Sequence, residues 1–539
     1  MRKDGFSELK GLISTLRSNE LETAKKFVVA FDSNITRRNN KSLKLFKLIL
    51  KKPDVKKVAA IRHVGKDVQE RSFDKLVGRL KSKIFESLAL NVNLDRRDLY
   101  SSNYRINKLL RKRLTEADIA FGKNILDLAV EMYDKIIATG KRFEIYDVLL
   151  NALLTKQQIQ GMTKGPKEYY LLSDDVKLYS RCVTALQSGK DWYYRHFIEA
   201  EKSGLNNDKV SLLMQAISEL RVEYEATDSQ NVGYYYFILM MEYYLAVEEY
   251  GKSCDVGKKL VVLMGQSMHL FSKAKLGSAY SDLADNQLYV FHFGESVKNS
   301  ILARKFYKLN SYNFKTTKEI EFLAEYYQGQ LESSLSVVNE LLETTDLNRT
   351  PFHYAKRVYL KACVLFMQGE YRKSYFLLQD TKEIEKDKEG WNIGRRIMSI
   401  LNHIEIDLLD VADSEIESMR KHIGRLRALD SVRKRDKIIL QLLMQLEKHS
   451  FDFKKVYELH QESFKALAST EKDLRWEVKT PEMIIFHKWF EAKVNGVPYV
   501  FEVPQELIDF IKFGKKEQAE DMLVPEPVLV PVPVQKKAS

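Results

Sequence analysis

A glycine- and lysine-rich stretch at residues 251–259, GKSCDVGKK, resembles a phosphate-binding loop. In a P-loop, four residues separate the two glycines, and a serine or threonine after the lysine holds Mg²⁺. Here five residues lie between Gly251 and Gly257, and Lys259 stands at the serine/threonine position. The residues before Gly251 also predict a helix, whereas a P-loop follows a strand. We therefore interpret this stretch as a turn between two helices.

The ten histidines and three cysteines are the other candidates for metal ligands and nucleophiles. The cysteines (Cys182, Cys254 and Cys363) form no CxxC pair, and no histidines form an HExxH motif. His403 and Asp407 would share one helix face, but an ordinary surface pair explains their spacing better than a site does. Neither GxSxG nor a dinucleotide-binding fingerprint occurs. The sequence therefore predicts no metal, no cofactor and no catalytic residue, and we expect that the protein is not an enzyme.

An aromatic cluster occupies residues 234–237, YYYF, and continues at Tyr243 and Tyr244. Consecutive residues of a helix point in all directions around it, so such a helix is expected to be buried on most sides. The same rings could also line a groove for a partner, because helical-repeat arrays present long binding surfaces. Core packing and a partner groove both remain open for this cluster.

Positive charge is concentrated at the N-terminus. Residues 1–120 hold 29 basic and 14 acidic residues, whereas the other 419 hold 58 and 60. Two predicted helices carry basic ridges that could reach successive phosphates of a nucleic acid. An acidic protein partner, an intramolecular contact and simple solvation are the alternatives. The residues of the two ridges are Lys41, Lys44, Lys47 and Lys51, and Lys75, Arg79 and Lys83.

The N-terminal ridges belong to a series of short predicted helices, at residues 7–31, 42–50, 55–64 and from Ser72 onward. In the last of these, Phe73, Leu76, Leu80 and Ile84 form one apolar stripe opposite the basic ridge. Three short helices followed by an amphipathic one resemble a helix-turn-helix module. The loop at residues 65–71 is longer than the three or four residues usual for that turn.

From about residue 120 the pattern changes to longer helices in pairs. Ala355, Val358, Ala362 and Leu365 share one face of a helix, which ends at a turn containing Gly369. Similar aromatic and glycine turns surround Gly251, Gly294 and Gly329, so that successive turn glycines lie 43, 35 and 40 residues apart. This spacing is typical of repeats made of helical hairpins.

The stretch YLKACVLFMQGEYRKSYFLL resembles the hinge of a tetratricopeptide repeat, with Ala362, Gly369 and Tyr371 at matching positions and Ser374 where the family usually has alanine. The unit around Gly329 is more degenerate, since Phe322 takes the small-residue position. The resemblance covers roughly residues 200–430 and implies an α-solenoid that binds a protein or peptide. Residues 391–426 and 435–458 also resemble helical-repeat proteins of Bacteroidetes-type bacteria, a likeness that implies the fold and no activity.

Composition agrees with a helical array, since only 10 Pro and 23 Gly interrupt 539 residues. We expect a basic helical module at residues 1–120, a solenoid at 121–480, a helical cap at 481–520 and a Pro/Val-rich tail at 521–539. Without an apolar leader or a membrane span, a cytoplasmic protein is expected. The sequence thus predicts an all-α scaffold for protein–protein interaction, with a nucleic-acid-binding regulator as the alternative.

Overall fold

The computed structural model describes residues 4–30, 40–65, 68–90, 102–199, 209–267, 272–345, 350–381, 383–384, 387, 390–427 and 432–513. The regular secondary structure of these residues consists of helices, without a single β-strand, so the all-α prediction is confirmed. No described helix is long and apolar enough to cross a membrane. The chain forms two compact units, which meet in the sequence between Leu109 and Leu110. The predicted Pro/Val-rich tail lies outside the described residues.

The first unit consists of short helices around one apolar core. The longest of them, α5, packs against three others, and its buried Phe73 contacts Phe6 of the first helix with ring centroids 5.5 Å apart. The apolar stripe predicted for this helix is therefore its core face. The helices are α1 (Gly5–Thr15), α2 (Ser18–Ala30), α3 (Lys41–Lys51), α4 (Lys57–Val64) and α5 (Glu70–Leu90).

The single helix predicted at residues 7–31 is wrong, because the chain breaks between α1 and α2. Leu16 is extended, with φ −73° and ψ 138°. Ser14 and Thr15 donate their hydroxyls to the carbonyls three residues earlier, which is the local bonding that competes with helix continuation. Glu20 then accepts a hydrogen bond from the backbone N–H of Arg17 at 2.9 Å and starts the second helix. Apolar periodicity alone could not show this break.

The second unit is an α-solenoid of helical hairpins. Its N-terminal part contains α6 (Ser102–Gly122), which begins before the boundary, α7 (Leu126–Phe143), α8 (Tyr146–Lys164), α9 (Pro166–Tyr170), α10 (Ser173–Tyr194), a π-helical turn (Arg195–Glu199) and α11 (Lys209–Thr227). Five hairpins follow, namely α12 (Gln230–Ala246) with α13 (Tyr250–Gln266), α14 (Lys273–Tyr289) with α15 (Phe293–Arg304), α16 (Tyr312–Tyr327) with α17 (Leu331–Glu343), α18 (Pro351–Met367) with α19 (Tyr371–Gln379), and α20 (Trp391–Glu405) with α21 (Leu409–Arg427). The chain then forms α22 (Lys434–Lys448), α23 (Phe453–Leu459), α24 (Gln461–Ala468), α25 (Phe486–Asn495) and α26 (Gln505–Phe513).

The hairpin turns each contain one residue with positive φ, but it is glycine in only two of them. Gly329 and Gly369 have φ of 74° and 76°, and in the other three turns Glu248, Phe291 and Asp407 adopt 64°, 59° and 61°. These residues lie 43, 38, 40 and 38 positions apart. The turns predicted at Gly251 and Gly294 are therefore misplaced by three residues, since both glycines lie inside second helices of hairpins.

A repeated hydrogen bond ties the two helices of a hairpin together. In three hairpins a buried serine of the second helix donates to a carbonyl of the first helix, twelve residues earlier. An asparagine from the next hairpin then donates to that serine in two cases. Buried hydroxyls need such partners, so the pattern fixes how hairpins stack. The bonds are Ser253 to Met241 (2.9 Å), Ser296 to Ala284 (2.7 Å), Ser374 to Ala362 (2.8 Å), Asn286 to Ser253 (2.9 Å) and Asn402 to Ser374 (3.0 Å).

Candidate binding groove

The first helices of four successive hairpins, α14, α16, α18 and α20, line a groove that contains a cavity of about 560 Å³. Its walls combine aromatic rings with charged groups of both signs. The residues that line it include Asp282, Asp285, Tyr312, Glu319, Phe352, Lys356, Arg357, Trp391 and Lys479. All but Lys479 lie on these helices. Lys479 comes from the C-terminal part of the chain, about 190 residues from Asp285 in sequence.

A non-helical segment of the chain itself lies against this groove. We define the groove segment as residues 474–485, which connect α24 with α25 and contain turns and bends. Its apolar side chains are buried except for the half-buried Leu474, and the ring of Trp476 packs against Tyr327 with centroids 5.6 Å apart. The indole N–H of Trp476 donates to the carbonyl of Glu482 at 2.9 Å, which holds the segment in a compact form.

Tyrosine hydroxyls of the groove bind the backbone of the groove segment. Tyr326 donates to the carbonyl of Met483 at 3.1 Å, and Tyr359 donates to the carbonyl of Pro481. Tyr327 accepts a hydrogen bond from the backbone N–H of Lys479 at 3.3 Å. All three rings are buried. Because these contacts involve main-chain atoms, they depend little on the side chains of the bound segment.

The groove segment contributes the side chain of Lys479 to the cavity. Its Nζ lies 2.7 Å from both carboxylate oxygens of Asp285 and 5.6 Å from the centre of the Tyr289 ring. Burial would lower the pKa of this ammonium, but Asp285 and Tyr289 outweigh burial and raise it above the ordinary value. The groove thus holds a lysine of a non-helical segment with a carboxylate and an aromatic face.

The groove segment approaches the helices closely at one point. A Cβ atom added to Gly394 of α20 would lie 2.5 Å from the carbonyl oxygen of Pro481, so only glycine leaves room for the segment there.

Near the N-terminal end of the groove segment, Arg475 binds Glu248 at 3.1 Å and Glu477 at 2.6 Å. Glu248 is the left-handed turn residue of the first of the five hairpins, so this turn also holds the groove segment.

A buried ion pair anchors the groove segment where it leaves the last helices of the solenoid. Arg435 of α22 binds the carboxylate of Glu482 at 2.5 and 2.9 Å, and both side chains are almost fully buried. Arg435 also donates to the carbonyls of Leu467 and Leu474, each at 2.6 Å. Burial would raise the pKa of Glu482, but Arg435 outweighs it and lowers that pKa below its ordinary value.

Most charged groups of the cavity are neutralised by a neighbour. Glu319 of α16 pairs with Lys356 at 2.5 Å and Arg357 at 3.4 Å, both from α18. Burial would raise the pKa of Glu319, but these two cations hold it below its usual range. The Lys356 ammonium also lies 4.5 Å from the centre of the Trp391 ring. Such pairs link adjacent hairpins and fix the shape of the cavity.

Asp282 of α14 differs from these groups. It is exposed to the cavity, and within the described part of the chain no hydrogen bond or ion pair involves its carboxyl. Enclosure by protein, reinforced by the negative charges of Glu242 and Asp285, raises the pKa of Asp282 to about 8.

The basic residues predicted as a nucleic-acid or acidic-partner contact lie on α3 and α5 of the first unit. Five of them are exposed, whereas two are half-buried, and Lys83 donates to the carbonyl of Val28 at 3.2 Å. Lys57 and Lys81 on the same unit are paired with carboxylates. The exposed residues are Lys41, Lys47, Lys51, Lys75 and Arg79, and the half-buried ones are Lys44 and Lys83.

The predicted repeat-turn residues lie at one hairpin and its neighbour. Ala362 is fully buried and accepts the serine hydrogen bond, while Gly369 and Gly329 are the left-handed residues of their turns. Tyr371 begins α19 and packs against the core. The P-loop-like stretch was predicted to be a turn between two helices, but it lies inside α13, and the turn is at Glu248, before that helix. His403 contacts Glu415 at 3.1 Å, a partner on α21 that the sequence did not suggest.

The aromatic cluster is mostly core. Tyr234, Tyr236, Phe237 and Tyr243 are buried, whereas Tyr235 and Tyr244 are half-buried. The ammonium of Lys275 lies 4.1 Å from the centre of the Tyr234 ring. The cavity described above lies on the later hairpins and does not include these rings.

Sequence reasoning missed the groove residues Asp282, Asp285, Glu319 and Lys356. One signal was present, since charged residues interrupt first helices that otherwise carry many apolar residues, as in PFHYAKRVYLKACVLFM. Lys479 carried no such signal. Its position depends on the chain folding back over the hairpins, which local periodicity does not report.

No family model matches the sequence, and no curated protein matches it. Among solved structures, the chain is similar to a Signal Transduction ATPase with Numerous Domains (STAND) protein with a tetratricopeptide repeat sensor from Pyrococcus horikoshii, with a TM-score of 0.41 and 10% sequence identity. The match covers 78% of this chain and 65% of that one, so the chain spans about two thirds of the length of this neighbour.

Proposed function

We propose that this chain is a non-enzymatic helical-repeat scaffold that mediates protein–protein interaction by holding a non-helical segment of a partner protein in the groove. The observation that supports the proposal is the groove segment, because the chain's own residues 474–485 are held there through backbone hydrogen bonds to Tyr326, Tyr327 and Tyr359. A second segment in the adjoining cavity would meet the same kind of wall.

The cavity has the properties of a peptide site. Its volume of about 560 Å³ accommodates several side chains. Aromatic rings of Tyr312, Phe352 and Trp391 offer apolar area, and the paired charges between hairpins leave polar atoms at the surface. Recognition sites for small ligands and peptides typically combine these two features.

The nucleic-acid alternative has weaker support in the described residues. A continuous basic ridge on both helices would favour it, but Lys44 and Lys83 are half-buried, and Lys83 is engaged with the backbone of α2. The five exposed cations fit solvation or an acidic protein surface equally well. We therefore place the main contact in the groove of the second unit.

A photocross-linking experiment tests the scaffold proposal. Tyr312 lies at the cavity and is 72% exposed, and Tyr170 lies on α9, outside the cavity lining, and is 70% exposed. Each is replaced in turn by the photoreactive residue p-benzoylphenylalanine in the full-length chain, and the native cells are irradiated. We expect a discrete protein adduct from position 312 that position 170 does not give, because only the former faces the groove.

The matched position makes the result interpretable. The adduct should resist nuclease treatment, and digestion should locate the cross-link in a short stretch of one partner protein. Equal adducts from both positions, or adducts that consist of nucleic acid, would contradict the scaffold proposal.

A further inference from the structure

Three acidic residues line the cavity, and two of them are paired with cations. Asp285 holds Lys479, and Glu319 holds Lys356 and Arg357. Outside the cavity lining, Glu242 of α12 lies 3.2 Å from His196 and 4.0 Å from Lys209. The third acidic residue of the cavity is Asp282. It faces the cavity, and among the residues that the structure describes none forms a hydrogen bond or an ion pair with it.

The surroundings of Asp282 favour a cationic ligand. The negative charges of Glu242 and Asp285 act on Asp282, and the positive charge of Lys479 partly offsets them. The nearby rings of Tyr193, Tyr234 and Tyr307 are neutral. A cation placed beside Asp282 would therefore be attracted by more than one carboxyl group, whereas an anion would be repelled.

The chain contains its own example of such binding. Three residues further along α14, Asp285 holds the ammonium of Lys479 with two contacts of 2.7 Å, and that ammonium lies 5.6 Å from the centre of the Tyr289 ring. Residues three apart on a helix lie on one face, so Asp282 and Asp285 both face the groove. Asp285 is occupied by a segment of this chain, and Asp282 is not.

We propose that Asp282 receives a lysine or arginine side chain from the partner segment, in the manner in which Asp285 holds Lys479. This inference rests on the proposed function and adds the chemistry of the partner, which is a non-helical peptide segment with a basic residue. The aromatic rings of Tyr312, Phe352 and Trp391 offer apolar surface beside the cavity for the flanking residues of that segment. Among the described residues, no group of three metal-ligating side chains comes together. The single carboxylate of Asp282 therefore suits an ammonium or guanidinium group better than a metal ion.

A peptide array tests this inference. The full-length protein is applied to immobilised decapeptides of random sequence, and the bound sequences are compared with those retained by Asp282→Asn, Asp282→Lys and the control Asp174→Asn. Asp174 is a solvated residue of α10, with a side chain 98% exposed. We expect the wild type and the control to select lysine or arginine at one peptide position. Asp282→Asn should lose that preference, and Asp282→Lys should replace it with aspartate or glutamate.

The outcomes separate the two proposals. For the best basic peptide, Asp282→Asn should weaken binding roughly tenfold or more, as expected for the loss of one close charge pair. If the wild type binds peptides without a basic preference, or if Asp282→Asn keeps the preference, the inference about Asp282 is wrong and the scaffold proposal stands. If the wild type retains no peptide, both are wrong.

Proton release gives an independent readout. A cation beside Asp282 should lower its pKa from about 8, so binding of the selected peptide at pH 7 should release up to about one proton. The release is measured by calorimetry in phosphate and Tris buffers, which differ in ionisation enthalpy. Asp282→Asn removes this proton while leaving Glu242, Asp285, Lys479 and the three tyrosines in place. Equal proton release by wild type and variant would overturn the assignment.

Discussion

Replacement of Arg435 with methionine is expected to lower the free energy of unfolding by about 3–5 kcal/mol, because it leaves the buried carboxylate of Glu482 without its partner. The two side chains are only 1% and 5% exposed, so water cannot replace the lost guanidinium. The change also removes the hydrogen bonds to the carbonyls of Leu467 and Leu474. Urea denaturation of the full-length chain, followed by circular dichroism, measures the effect.

A double replacement separates charge from packing. Arg435→Met combined with Glu482→Met removes the unpaired charge and should recover a large part of the loss, since apolar residues of similar volume can replace a buried ion pair. Lys465→Met breaks a solvated pair with Glu462 and should leave stability unchanged within error. A loss for Arg435→Met no larger than that for Lys465→Met would show that Arg435 does not anchor the groove segment.

Acidification is expected to destabilise the protein through His487. This histidine is 1% exposed, and its Nδ1 faces Arg435 at 3.2 Å, so a protonated ring would bring two cations together without water. Burial, and then the charge of Arg435, lower the pKa of His487 to about 3. In the unfolded chain a histidine titrates near 6.5. Below that pH the unfolded state binds a proton that the folded state does not, so stability decreases as the pH falls.

The size of this effect follows from linkage. Between pH 7.5 and pH 5, His487 should remove about 2 kcal/mol of stability, at about 1.4 kcal/mol per pH unit once the unfolded histidine is protonated. Asp282 and Glu321 act in the opposite direction, since their pKa values are raised to about 8 and about 7. The difference between the wild type and His487→Gln isolates the histidine. That difference should change by about 2 kcal/mol over this range, and a difference independent of pH would contradict a buried neutral His487.

The sequence predicted the helical class and the hairpin at Gly369 because those features depend on local periodicity and on glycine at a left-handed position. It misplaced the turns near residues 248 and 291 because Glu248 and Phe291 adopt positive φ without being glycine. Such conformations are uncommon for residues with a Cβ atom, and their cause lies in the fold. Glu248, for example, binds Arg475, which is 227 residues away.

The groove itself could not be predicted in the same way. Tyr326 and Tyr327 looked like ordinary aromatic residues near a repeat turn, yet their hydroxyls meet Met483 and Lys479 more than 150 residues later. Periodicity reports which face of a helix is apolar, but it does not report which distant segment covers that face. The basic ridges of the first unit could be located by counting charges along the sequence. The same counts do not show what those ridges contact.

The groove of the second unit binds the non-helical groove segment through that segment's backbone. Hydrogen–deuterium exchange of the full-length protein across residues 474–485 tests this binding most directly. The backbone N–H group of Lys479 donates to Tyr327 of the groove, so it should exchange far more slowly than in a synthetic peptide with the sequence of residues 474–485. Exchange across the groove segment as fast as in the free peptide would contradict binding of its backbone by the groove.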